Sequence, residues 1–107
     1  MDRTYLNTGS KLSFMVKWDN QLFRDVVITN DLGLHARSAA QIAQCAQKSQ
    51  SKVWIIKDGN KADAASTLDV LTLVCEKGST ITILIDDPSD LGILDDLVKL
   101  VERGFRD

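Results

Sequence analysis

The sequence predicts an α+β fold, an antiparallel four-stranded sheet with three helices on one face. β-Branched runs alternate with segments of helical period in the order β-α-β-β-α-β-α. Between the second and third runs stands Asp58-Gly59, a two-residue hairpin signal, because both central residues of that turn need positive φ. A hairpin excludes a purely parallel sheet. A chain of 107 residues suits one core, which places the helices together on one side of the sheet.

Residues 1–23 show no clear period and read as an N-terminal extension ahead of a domain at 24–107. The extension is a flexible or packed arm: Tyr5, Leu6, Leu12, Phe14, Trp18, Leu22 and Phe23 are many large apolar groups for a solvated tail. Met15 offers a second start site within it. A monomer is expected, with the arm as the element through which copies could join.

From Arg24 the pattern is legible. "RDVVITN" reads as a strand and "DLG" breaks it. Ala39, Ile42, Ala43 and Ala46 then form one apolar helix face, with Gln41, Gln44, Gln47 and Lys48 on the polar side. "KVWIIK" and "KADA" flank the hairpin turn. Ser66 can cap a second helix through "TLDVLTLVC", and Gly78 suits the left-handed position that ends one. On that helix Val70, Leu73 and Val74 form one apolar stripe, and Leu68, Leu71 and Cys75 another. "STITILIDD" alternates as a strand. Asp87 and Pro88 start a last helix over about 89–103, with Leu91, Leu94, Val98 and Val101 on its apolar stripe.

Composition excludes several function classes. Fifteen acids against thirteen bases give a formal charge of −2, without the basic stripe that nucleic-acid binding needs. No apolar run is long enough for membrane insertion and no secretory leader is legible, so a cytoplasmic protein is expected. Cys45 and Cys75 have neither CxxC spacing nor a histidine at ligand distance. They read as reduced thiols, and neither a metal nor a cofactor is expected.

His35 is the only histidine, within "TNDLGLHARSAAQIAQ" at the predicted start of the first helix. The first amides of a helix lack intrahelical acceptors and carry the positive end of its dipole. An anion on the imidazole would lie beside them. Arg37 could add a charge-assisted contact, and Gly33 lets the backbone turn tightly before the ring. An imidazole in this setting can act as a nucleophile that holds a phosphoryl group. With no Walker loop or carboxylate cluster in the chain, the donor must be another protein. The plainer alternative makes His35 a helix cap only.

"LGLHAR", the element order and the spacing from His35 to Ser66 together resemble the histidine-containing phosphocarrier protein (HPr) family of the phosphoenolpyruvate-dependent phosphotransferase system. The similarity spans about residues 24–103. "NDLGLHAR" and "ADAAS" are closer to the nitrogen-regulatory branch than to the sugar-transport branch. The resemblance implies an open-faced sandwich and a phosphoryl relay rather than a turnover enzyme. It makes His35 the acceptor, at Nδ1, of phosphate from phosphorylated Enzyme I, to be passed to Enzyme II-type proteins. Arg37 would be its electrostatic partner, and the amides of Ala36 and Arg37 would hold the phosphate. Ser66 matches a regulatory serine that a dedicated kinase modifies in some bacteria. Leu68 and Leu71 match exposed positions that dock partners. The rival reading is a regulatory binding module that docks targets through the same patch, with phosphorylation as a signal or absent.

The match departs at identifiable positions. Ser38 stands where the family usually has proline, losing a preset φ but gaining a hydroxyl and an N–H. Slower or less ordered transfer is expected from that change. Ala65 replaces a frequent basic residue, and Asp69 and Val74 replace glycines, so a plain helix cap is an equal reading of Ser66.

Overall fold

Strands β1 (Phe23–Val27), β2 (Val53–Lys57), β3 (Asn60–Asp63) and β4 (Thr80–Ile85) interleave with helices α1 (Ala36–Ala46), α2 (Thr67–Leu71) and α3 (Leu91–Glu102). The computed structural model describes residues 22–106, so the arm expected over 1–23 lies outside the described residues except at its last two positions. Of these, Phe23 pairs with Leu84, and the Leu22 carbonyl accepts the amide of Ile85.

The sheet order is β1-β4-β2-β3 and every pairing is antiparallel. Asp58 (φ 51°) and Gly59 (φ 80°) make the hairpin turn with both residues left-handed, as the sequence predicts. Alternation then sends Val26, Val53, Ile55, Ala62, Ile81, Ile83 and Ile85 to one face. There they meet Ala39, Ile42, Ala43 and Ala46 of α1, the predicted apolar face of that helix. β1 is joined to β4 rather than to its sequence neighbour, so α1 must cross from one edge of the sheet toward the other.

Two helices differ from the sequence expectation. The predicted second helix through Cys75 stops at Leu71. Val70 and Leu73 are buried, but Val74 turns left-handed (φ 51°) and is exposed, which lets Cys75 bury its thiol. The two predicted stripes are therefore not two sides of one helix. In α3 the buried residues are Leu94, Leu97, Leu100 and Val101, while Leu91 and Val98 are only partly covered. The sheet lies under a stripe rotated from the expected one. Gly78 ends no helix; it turns the chain into β4 and donates its amide to the Ile28 carbonyl.

The α3 entry is held by charge-assisted bonds. Asp87 accepts from the Ser89 amide, with Pro88 opening a single 3₁₀ turn. Asp90 is buried and its two carboxylate oxygens accept the amides of Gln50 (2.8 Å) and Ser51 (2.9 Å), joining the α1–β2 loop to α3. Cys45 and Cys75 are free thiols, and burial raises the pKa of both. Among the described residues, no helix is long and apolar enough to cross a membrane.

Asp90→Ala strands two amides and should cost about 2–4 kcal/mol, read as a lower urea midpoint at unchanged slope. A smaller, pH-dependent effect is expected at Asp63. Lys52, 2.9 Å away, and then the Ala65 amide hold its carboxyl below the ordinary carboxylate range. A folded pKa below the unfolded one contributes stability above about pH 4 that disappears as pH falls through the depressed value. Asp63→Asn should therefore lose stability at pH 7 and converge with the parent in acid. Because Lys52 is largely solvated, the ion pair itself contributes only a small part of that loss.

Candidate functional site

The site begins where β1 ends. The chain turns through Asn30–Gly33, closed by the Gly33 amide on the Asn30 carbonyl (3.1 Å) and by Asn30 Nδ2 on the Gly33 carbonyl (2.8 Å). Gly33 is left-handed (φ 65°) and packed against backbone: a β-carbon there would stand 2.2 Å from the Cys75 carbonyl oxygen. The next amide, of Leu34, donates to that same oxygen at 2.8 Å. The segment before α1 is thus tied to the segment after α2.

His35 follows as the N-cap of α1, in extended conformation (φ −136°). Its Nδ1 accepts the Arg37 amide at 3.3 Å. In the neutral ring this acceptor role places the proton on Nε2. Ser38 completes the cap: its Oγ accepts the His35 amide at 3.0 Å and lies 3.3 and 3.2 Å from the carbonyls of Gly33 and His35, where its one proton can go. Ser38 is buried, so the residue in the proline position is built into the cap. Its hydroxyl supplies by hydrogen bonding some of the order that a proline ring would supply covalently.

His35 opens into a shallow cavity of about 350 Å³ bordered by Arg37, Ser38, Gln41, Phe105 and Arg106. Arg37 is exposed at its rim, and Ala36, between it and His35, is exposed too. Among the described residues Arg37 forms no ion pair. A half-buried imidazole, first-turn amides and an uncommitted guanidinium therefore converge, an arrangement suited to a tetrahedral oxyanion.

Residues 23–103 match the family described as PTS HPr component phosphorylation site. The chain belongs to the HPr family. A phosphocarrier protein HPr of Cupriavidus necator is 38% identical over 84 residues, 78% of this chain and 94% of that protein. A phosphocarrier protein NPr of Shewanella violacea is 39% identical over 85 residues, covering 79% and 93%. The crystal structure of HPr-C-His from Thermoanaerobacter tengcongensis superposes with a TM-score of 0.73 at 31% identity, covering 78% of this chain and 93% of that one. Membership carries the coarse assignment of a phosphocarrier-type protein of the phosphotransferase system and the open antiparallel sheet with three helices.

The remaining predicted positions divide. Ser66 is the N-cap of α2, its Oγ accepting the Asp69 amide at 3.2 Å. Asp69 in turn accepts the Asp63 amide at 2.6 Å, so two acidic residues stand around the cap. Leu68 is exposed (79%), together with Leu32 (76%) and Val74 (68%). Leu71 is only partly exposed and packs on the core, so it offers a partner less than Leu68 does. Asn30, Phe105 and Arg106 carry no site signal in the sequence, and Gln41 reads there only as part of the polar face of α1. Gly104, two residues past the end of α3, is the one local signal that a structured turn follows that helix.

Gly33→Ala forces a left-handed alanine into the Cys75 carbonyl. The expected result is a loss of about 2–4 kcal/mol in denaturant unfolding, with amide shifts concentrated at Leu34–Ser38 and Cys75–Glu76.

Proposed function

We propose that this protein relays a phosphoryl group through His35, from phosphorylated Enzyme I to an Enzyme II-type acceptor. The observation that carries the reading is the N-cap geometry: Nδ1 faces the helix start, so a phosphoryl group bonded there enters the field of the first-turn amides. The Nδ1 lone pair attacks phosphorus, the N–P bond forms, and the donor's bond to phosphorus breaks with its electron pair leaving on the donor. In the second transfer the acceptor attacks and the His35 Nδ1 recovers its pair. The amides of Ala36 and Arg37 and the Arg37 guanidinium hold the phosphate oxygens in between, and none of them changes protonation.

Exposed Leu68, with Leu32 and Val74, supports a docking surface for these proteins. Leu71 contributes its exposed edge. A module that only docks targets would need this patch and not His35. The nitrogen-regulatory branch, with regulation rather than sugar transport as its output, fits the NPr-like sequence. A cytoplasmic location and a monomeric state belong to the same proposal. Phosphorylation of Ser66 by a serine kinase is the least supported part of it, since the hydroxyl already caps α2 and a phosphate there would meet Asp63 and Asp69.

Phosphoenolpyruvate and purified Enzyme I should place an acid-labile, base-stable phosphate on the protein and none on His35→Ala. Leu68→Asp should slow that transfer about tenfold, the cost of a buried apolar contact at an interface. It should leave chemical phosphorylation of His35 by phosphoramidate intact. Loss on Leu68→Asp together with full partner binding by His35→Ala and no phosphate on the wild type would instead establish the docking module.

A further inference from the structure

The turn after α3 is closed by several hydrogen bonds, and it ends at the His35 cavity. Past α3 the Phe105 amide donates to the Leu100 carbonyl and the Gly104 amide to the Val101 carbonyl, both at 3.0 Å. These paired bonds form a Schellman motif, with Gly104 (φ 68°) in its left-handed position. Phe105 is left-handed as well (φ 63°), a conformation that costs a non-glycine residue energy and persists only where neighbours enforce it. Here they do. The Phe105 ring is buried in the core, and its carbonyl accepts Nε2 of Gln41 on α1 at 3.3 Å.

Arg106 is locked beyond this turn by reciprocal bonds: its Nε donates to the Arg103 carbonyl (3.0 Å), and Arg103 Nε donates to the Arg106 carbonyl (2.7 Å). The Arg106 Nη groups make no hydrogen bond or ion pair among the described residues. Among the described residues, the ionisable ones bordering the cavity besides His35 are Arg37 and Arg106, with no carboxylate in its lining. On its other side Arg106 borders Asp31 and Glu102, of which Asp31 is already bound by Lys77 Nζ at 2.8 Å.

We infer that Arg106 is a second anion-binding residue of the His35 site, adding a guanidinium from the turn after α3 to the α1 amides and Arg37. The inference rests on the reading of His35 as the phosphoryl site and adds to it a group from the far end of the chain. It gives the Gln41–Phe105 bond a purpose, since that bond fixes Arg106 relative to α1.

The test uses the unmodified full chain and inorganic phosphate as probe, at constant ionic strength, so it needs no partner protein. Phosphate should shift the His35, Ala36 and Arg37 amide resonances saturably in ¹⁵N–¹H spectra. Arg106→Gln should weaken that binding about 3–10-fold, the effect of losing one charge-assisted contact at a half-exposed site. Arg106→Lys should recover most of it, and neither variant should change the melting temperature or the Gln41 side-chain amide resonance. Unchanged affinity in Arg106→Gln overturns the inference. So does the absence of saturable shifts in the wild type, or a loss that lysine does not restore, which would mark a purely structural clamp. If Enzyme I fails to phosphorylate His35 while Arg106→Gln still weakens phosphate binding, the relay reading falls and the anion site stands.

Discussion

The Cys75 carbonyl oxygen occupies the space where residue 33 would carry a β-carbon, and the geometry around His35 depends on that contact. Glycine is needed twice over, for the left-handed φ and for the absent side chain. The same oxygen takes the Leu34 amide, so two loops that are distant in sequence share one hydrogen-bond acceptor. Val74 adopts its own left-handed turn just before, with its carbonyl accepting Lys57 Nζ at 2.9 Å. The strain at Val74 and the contact at Gly33 are two sides of one constraint. Together they fix the backbone entry to α1 and hence the direction of the imidazole.

Within that frame the cap does most of the local work. A histidine N-cap spends Nδ1 on an amide of its own helix, at the longer end of hydrogen-bond distances. Such a bond holds the ring without binding it tightly, and under the proposed relay an incoming phosphoryl group would compete with one weak neutral contact. The buried hydroxyl of Ser38 acts behind the ring, on the His35 amide, and leaves the nitrogen untouched. Replacing a proline in this way moves the ordering from the covalent ring to a hydrogen-bond pair. The helix start stays defined by different means.

The sheet and α3 serve this site as a platform. Buried isoleucines of β4 and β2 fill the layer under α1 and α3, and Asp90 pins the loop that follows α1. Both ends of α1 are thereby held by groups outside the helix. Charge is distributed to match: Asp31, in the loop before the site, is engaged by Lys77, while the cavity itself presents guanidinium and amide donors. A chain of slightly negative net charge thus keeps one locally positive opening.

Local chemistry was legible from the sequence wherever period or turn stereochemistry leaves few choices. The β-branched runs, the Asp58-Gly59 turn, the apolar face of α1 and the position of His35 at its start all depend on neighbours a few residues apart. The antiparallel sheet followed from the hairpin and the number of elements. Packing decided the rest. The second helix ends at Leu71 because Cys75 must reach the core and meet Leu34, a demand no spacing announces. The stripe of α3 turns toward Leu97 and Leu100 because the sheet lies there. Ser38 could be seen as a departure from proline, but its bond to the His35 amide needed the fold of the turn. Arg106 lies at the far end of the sequence from His35, and only the Schellman turn under the Phe105 ring brings it to the cavity. Contacts across the chain depend on three-dimensional closure, and one-dimensional pattern carries no record of them.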